Sequence, residues 1–293
     1  MDTKKFTPKQ EESQSLNALL AVLLFLVVIA ASFWVGRDMI HTGIQVYHVI
    51  IAAFVTALAT GFGALPFLFI KNIAKRWVGI GNSIAAGLMF GASIGLVYEG
   101  VTIEGSGDPI LKVCSGLIFG GLLVFLAHKF LESTDKDYSL GKIQGANAIK
   151  MLMIVGIMTI HSFAEGVGVG VSFGDSPQLG SLISIAIAIH NIPEGLAISL
   201  VLIPRGTSVR NAALWSIFSS LPQPIMAVPA FLFVLTFKTF LPIGLGIAAG
   251  AMFWMVIKEL LPDARQELSS AKVYGLTTVT ALLMLIFQFM IET

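Results

Sequence analysis

Long apolar stretches separated by short polar connections dominate the chain. Nine of them reach the roughly 20 residues that an α-helix needs to cross the hydrocarbon core of a bilayer. They cover residues 16–34, 48–70, 77–100, 111–130, 149–173, 179–202, 209–236, 239–260 and 271–291. Because backbone groups in lipid must bond to one another, such stretches are expected to be helices. The pattern therefore predicts an all-α membrane protein, a polytopic helical bundle.

The lengths of the connections set the domain organisation. We expect a cytosolic tail at 1–15, an extra transmembrane helix or signal anchor at 16–34, and an eight-helix core at 48–291. The longest polar connection, a cytosolic loop at 132–148, leaves no room for a soluble catalytic domain. A basic start would also allow 16–34 to be a cleaved signal peptide, but its 19 uncharged residues favour a retained helix.

The positions of Lys and Arg predict the orientation in the membrane. With a cytosolic N-terminus, 15 of the 18 basic residues fall on inside segments, and Arg37, Lys112 and Lys238 fall outside. Nine spans then place the C-terminus on the extracytosolic or lumenal side. The net charge of +1 argues against a nucleic-acid binder. The single cysteine, Cys114, excludes a thiolate metal cluster and an intrachain disulfide.

Titratable residues lie at the centres of two consecutive spans. The fifth span has its midpoint at His161, and the sixth between His190 and Asn191. Each histidine is followed four residues later by a carboxylate, Glu165 or Glu194, on the same helix face and about 6 Å away. The linker between the spans is short, so the two helices form an antiparallel hairpin. We expect a ladder of the two carboxylates and the two imidazoles across the bilayer centre.

The chemistry of this ladder favours a divalent metal. Two neutral imidazoles and two carboxylates carry a charge that one divalent cation would neutralise. Nitrogen and oxygen ligands of this kind suit zinc, iron(II), manganese or cobalt better than calcium or magnesium. Met89, at the centre of the third span, could add a soft ligand, although packing is its commoner role. Gln223 lies at the centre of the seventh span within the proline-broken string SSLPQP.

Two strings on the fifth and sixth spans, HSFAEG (161–166) and HNIPEG (190–195), resemble the ZIP (Zrt/Irt-like) family of divalent metal transporters. The string MFWMVIKELLPDA (252–264) is similar to the end of that family's penultimate helix, and the resemblance covers about 48–291. It implies an eight-helix fold, frequent assembly as dimers, and metal uptake toward the cytosol. Uptake in this family implies alternating access, with one helix bundle sliding against the other.

The resemblance also implies which residues hold metal. Three fall on primary ligands: His161, Glu165 and Glu194. Two fall on contributing positions: Met89 and His190. Three fall on an adjacent second metal site: Ser162, Asn191 and Gln223. The family often has Asn or Asp at the first two of those second-site positions and Glu at the third. Here all three are uncharged, so we expect one occupied metal site, with polar residues that pass the ion on.

The sequence therefore predicts a carrier of divalent transition metal cations, with zinc as the first candidate and iron or manganese as others. Zinc is then a substrate, and no cofactor and no enzymatic activity are expected. The expected partners are divalent metal ions, the lipid bilayer and a second copy in a homodimer, with no nucleic acid. Two alternatives stay open. An intramembrane metallohydrolase would activate water at the buried metal, although the HExxH signature is absent. A proton-linked carrier of small solutes would relay protons along the ladder.

Overall fold

The computed structural model describes residues 43–69, 75–103, 107–133, 139–140, 143–144 and 146–292, together with most of 19–39. Within this part of the chain, eight helical segments are long and apolar enough to cross a membrane. They are Val46–Phe69, Arg76–Thr102, Pro109–Phe130, Val155–Asp175, Pro177–Arg205, Val209–Thr236, Lys238–Glu267 and Ser270–Met290. These segments match the eight predicted core spans, so the predicted all-α polytopic class is confirmed.

The first predicted span is described only in part. Its described residues between 19 and 39 are helical, whereas the predicted tail 1–15 and the start of 16–34 lie outside the described residues. Asp38 connects this segment to the core, since its Oδ2 lies 3.0 Å from Nε2 of the buried His48. Val28 packs with Ala59 and Phe62 in a small apolar cluster. The segment therefore rests against the first helix of the core.

Eleven helices form the described core, and we number them in chain order. They are α1 (Val46–Gly61), α2 (Pro66–Phe69), α3 (Lys75–Thr102), α4 (Pro109–Ser133), α5 (Ala146–Asp175), α6 (Pro177–Leu202), α7 (Val209–Ser220), α8 (Pro222–Thr236), α9 (Leu241–Met255), α10 (Leu261–Glu267) and α11 (Ser270–Glu292). A π-helical turn, Val256–Leu260, joins α9 to α10. The predicted loop 132–148 contains a short antiparallel pair of strands, Ser139–Leu140 and Ile143–Gln144, which the sequence did not predict.

The long helices form two packed groups. One group consists of α3, α4, α9 and α11, and the other of α1, α5, α6, α7 and α8. Contacts of α9 with α5 and of α3 with α6 join the two groups. Within the first group, glycines bring backbones together: a Cβ on Gly120 would lie 2.1 Å from the carbonyl oxygen of Ile247. Close approach through small residues is the usual way in which membrane helices associate.

Proline breaks one of the predicted spans inside the membrane. The span 209–236 consists of α7, which ends at Ser220, and α8, which begins at Pro222. Proline has no N–H group, and it is tolerated there because the N–H group of the first helical residue would have no partner within the helix. By contrast, α6 continues through Pro193. The break places Gln223 in the first turn of α8, halfway along the span.

Candidate metal site

Two antiparallel helices supply the predicted metal ligands. His161 and Glu165 lie on α5, and His190 and Glu194 lie on α6; we call these four residues the His/Glu cluster. Each of the four side chains is at most 1% exposed. One ligand atom from each of His161, Glu165 and Glu194 lies within 4.8 Å of the others. The structure thus brings these side chains together within the helix group that contains α5 and α6.

The cluster is more compact than the predicted ladder. Oε1 of Glu165 lies 2.7 Å from Nε2 of His190 and 3.3 Å from Nε2 of His161. The spaced ladder is therefore wrong. A glutamate side chain reaches about one helical turn, so Glu165 contacts the imidazole of His161 on its own helix as well as that of His190 on α6.

The cluster holds buried groups without a hydrogen-bond partner among the described residues. Both carboxylate oxygens of Glu194 belong to this set, as do Nδ1 of His161 and Nδ1 of His190. A buried carboxylate that accepts no hydrogen bond is strongly destabilised. Nitrogen and carboxylate oxygen atoms at this separation are suitable ligands for a divalent transition metal. The donor set therefore fits a metal ion.

Uncharged residues from three helices continue the polar site on one side of Glu165. Gln223 on α8 donates from Nε2 to Oε2 of Glu165 at 2.6 Å. Its Oε1 lies 2.6 Å from the hydroxyl of Thr56 on α1 and 3.3 Å from Nδ2 of Asn191 on α6. Asn191 also donates to the backbone carbonyl of Thr56 at 2.8 Å. Gln223 and Asn191 thus lie beside the cluster, and their place in a second metal site stays a prediction.

Thr56 is not among the residues predicted from the sequence. It lies with Thr60 one helical turn apart in the otherwise apolar α1, and both are fully buried. Thr60 contacts the hydroxyl of Ser220, just before the proline break, at 2.7 Å. Two threonines at an i, i+4 spacing on one face of an apolar span are the sequence signal that could have indicated α1 as a wall of the site.

The two remaining predicted residues have no such contacts. Ser162 is fully buried, and its hydroxyl has no hydrogen-bond partner among the described residues. Met89 on α3 belongs to the main hydrophobic core, where Ser93 donates to its backbone carbonyl. Among the polar contacts of the described residues, none involves the sulfur of Met89. Its role as a metal ligand stays a prediction.

The glycine after each glutamate lets another helix approach the cluster. A Cβ on Gly166 would lie 2.5 Å from the carbonyl oxygen of Gln223 on α8. A Cβ on Gly195 would lie 1.7 Å from the carbonyl oxygen of Thr60 on α1. Both distances are shorter than any tolerable contact. In each string the glutamate is therefore a candidate ligand, and the glycine after it allows a neighbouring helix to pack closely against the cluster.

A further histidine and glutamate form a pair away from the cluster. Nε2 of His128 on α4 lies 3.0 Å from Oε1 of Glu259 in the π-helical turn, and each side chain is about one fifth exposed. The His128 ring also packs on Trp254 with a centroid distance of 5.2 Å. Glu259 thus connects α4 to the π-helical turn that follows α9.

Comparisons with known proteins relate this chain to zinc transporters. The profile of the family described as ZIP Zinc transporter matches residues 126–291. A protein of Arabidopsis thaliana, described as a candidate zinc transporter, is 48% identical over 242 residues, which cover 82% of this chain and 38% of that protein. The zinc transporter GufA of Myxococcus xanthus is 31% identical over 230 residues, which cover 74% of this chain and 88% of GufA. The zinc transporter ZupT of Lysinibacillus sphaericus is 30% identical over 238 residues, with 75% and 88% covered.

Proposed function

This chain belongs to the ZIP zinc transporter family, and we propose that it carries zinc across the membrane through its His/Glu cluster. Membership makes the chain a multi-pass membrane transporter of divalent metal and not an enzyme. The relatives are named as zinc transporters, which gives no support to the metallohydrolase or to the proton-linked carrier of small solutes. The chain spans 38% of the plant relative and 88% of the two bacterial relatives.

The observation that carries the proposal is the buried, unpartnered carboxylate of Glu194 beside the imidazole of His161 and the carboxylate of Glu165. Both of its oxygens lack a hydrogen-bond partner among the described residues. One oxygen lies within 4.8 Å of ligand atoms from His161 and Glu165. A divalent cation at this point would neutralise the two carboxylates and would bond to atoms that otherwise lose their hydration. Zinc is the substrate at this site and no resident cofactor is required.

The proposal also covers the direction of zinc transport, the lipid bilayer and the oligomeric state. The excess of Lys and Arg on alternate connections supports a cytosolic N-terminus and an extracytosolic or lumenal C-terminus. Zinc then moves toward the cytosol by alternating access. The two helix groups, joined through α9 with α5 and α3 with α6, are the bodies that would slide against each other. The lipid bilayer surrounds them, and a second copy of the chain completes a homodimer.

Zinc uptake by purified protein in lipid vesicles tests this function. We expect saturable uptake of radiolabelled zinc by the wild type and its loss in His161→Ala, because that imidazole lies in the cluster. His128→Ala is the matched control, since His128 pairs with Glu259 away from the cluster, and it should retain uptake. Wild-type uptake by well-folded His161→Ala would reject the site. No uptake of any transition metal by the wild type would reject the function.

A further inference from the structure

The orientation of the Gln223 amide follows from a chain of donors and acceptors that starts at a backbone atom. The carbonyl oxygen of Thr56 can only accept, so the group of Asn191 at 2.8 Å from it must be the NH₂ end. That NH₂ end lies 3.3 Å from one end of the Gln223 amide, which must therefore be the oxygen. The hydroxyl of Thr56 lies 2.6 Å from the same oxygen and 2.7 Å from the backbone carbonyl oxygen of Ala53, so these two acceptors share its single proton.

The other end of the amide leads to the same assignment independently. It lies 2.6 Å from Oε2 of Glu165, and a carboxylate can only accept. Reversing the amide would put its oxygen against this carboxylate and its NH₂ against that of Asn191. Both contacts would be repulsive and fully buried. The surroundings of Gln223 therefore allow one orientation, with the N–H facing the His/Glu cluster.

This orientation decides what Gln223 offers to a metal. An amide nitrogen has no free lone pair, so its NH₂ group donates a hydrogen bond and does not bind a cation. The hydrogen bond also occupies Oε2 of Glu165, while Oε1 of Glu165 faces the imidazoles of His161 and His190. Gln223 thus occupies the second-site position that the family resemblance implies, but it presents a donor to the cluster.

The charge of the cluster also favours a single bound ion. Glu165 and Glu194 are the two buried carboxylates among the described residues. One divalent cation neutralises them, whereas a second would leave two uncompensated positive charges in a region of low dielectric. We propose that Asn191 and Thr56 orient the Gln223 amide, and that the oriented amide restricts the transport site to one divalent ion. This inference rests on the proposed function of the cluster as a metal site.

The number of zinc ions bound by the purified full chain tests the ion count. Equilibrium dialysis against zinc alone, followed by metal analysis, is expected to give one zinc per chain for the wild type. Gln223→Glu replaces the donor by a third carboxylate, so it should raise the number to two. Gln288→Glu is the matched control, because Gln288 on α11 is also buried but lies outside the cluster, and it should leave the number at one.

A second measurement tests the positioning role of Thr56. Thr56→Val replaces the hydroxyl by a methyl group of similar size, so we expect the dissociation constant for zinc to rise about fivefold, the effect of one buried hydrogen bond. Thr56→Ser keeps the hydroxyl and should restore the wild-type value. Because Thr56 acts through Gln223, Thr56→Val should have no further effect in a Gln223→Ala background. A merely structural role would give the same loss in both backgrounds.

The outcomes separate this inference from the function on which it depends. Two zinc ions on the wild type, one zinc ion on Gln223→Glu, or a full effect of Thr56→Val in the Gln223→Ala background would overturn the inference while zinc transport stands. A wild-type protein that neither binds nor transports zinc would instead overturn the proposed function.

Discussion

Glu165 and Glu194 are equally buried but have different surroundings. Glu165 is close to both histidines and accepts a hydrogen bond from Gln223, whereas both oxygens of Glu194 lack a hydrogen-bond partner among the described residues. An unpartnered buried carboxylate lowers the stability of the metal-free protein. Such a compromise, in which stability is lost so that a substrate can be bound, is expected at a functional site.

Glu194→Gln should reveal this compromise. The variant keeps the size of the side chain and loses its charge, so zinc uptake should fall by about two orders of magnitude. The metal-free protein should unfold at a temperature at least as high as that of the wild type, because no buried charge is left without a partner. Added zinc should raise the melting temperature of the wild type far more than that of the variant. Thermal unfolding in chelator and in zinc checks both statements. Equal stabilisation of the two proteins by zinc would contradict the assignment of Glu194.

At the scale of elements, two features bring four helices around one point. The break between α7 and α8 puts the first turn of α8 beside Glu165, where the positive end of the helix dipole favours a carboxylate. The glycine after each glutamate removes the Cβ that would separate α5 from α8 and α6 from α1. Because of this close packing, Thr56 and Gln223 come within hydrogen-bond distance of each other.

Gly195→Ala should separate α6 from α1. The new Cβ would lie 1.7 Å from the carbonyl oxygen of Thr60, so one backbone must move and the free energy of unfolding should fall by about 3 kcal/mol. Zinc uptake should fall as well, since Thr56 moves with α1. Gly275→Ala on α11 is the matched control, because no atom lies within 4 Å of its added Cβ. That variant should be neutral or more stable by less than about 1 kcal/mol. Equal stability of the two variants would argue against the close approach.

At the scale of the whole molecule, the site belongs to one helix group and the other group provides a packing partner. The His/Glu cluster, Gln223 and Thr56 all lie on α1, α5, α6 and α8, while α9 packs against α5. A site that lies within one helix group suits the proposed mechanism of alternating access, in which that group would move against the other. The orientation that we propose for this assembly rests on the distribution of basic residues.

Labelling of single cysteines in intact cells checks that orientation. In a Cys114→Ser background, Gln178→Cys at the start of α6 should react with a membrane-impermeant maleimide from outside. Arg210→Cys at the start of α7 should react only after permeabilisation. Both positions are exposed. Gln178 lies just before the predicted sixth span and Arg210 lies after the connection that follows it, so we expect them on opposite sides of the membrane. The reverse pattern would place the N-terminus outside and would invert the proposed direction of uptake.

The sequence by itself determined the spans, the fold class and the core of the site. Span positions depend on local apolarity, and the i, i+4 spacing of His161 with Glu165 and of His190 with Glu194 depends only on helical geometry. The proline break near Gln223 follows from the chemistry of a single residue type. Each of these features is decided within one or two turns of chain, so no long-range contact is needed to predict it.

Only the tertiary structure decided which polar groups meet. Thr56 lies 167 positions before Gln223, and only packing through Gly195 and Gly166 shows that the two side chains touch. The same packing turns the predicted ladder into a compact cluster and leaves Met89 in the hydrophobic core. Hydrogen bonds depend on distances of a few tenths of an ångström between different helices. Hydrophobic periodicity says which face of a helix is buried, but it does not say which neighbour that face will contact.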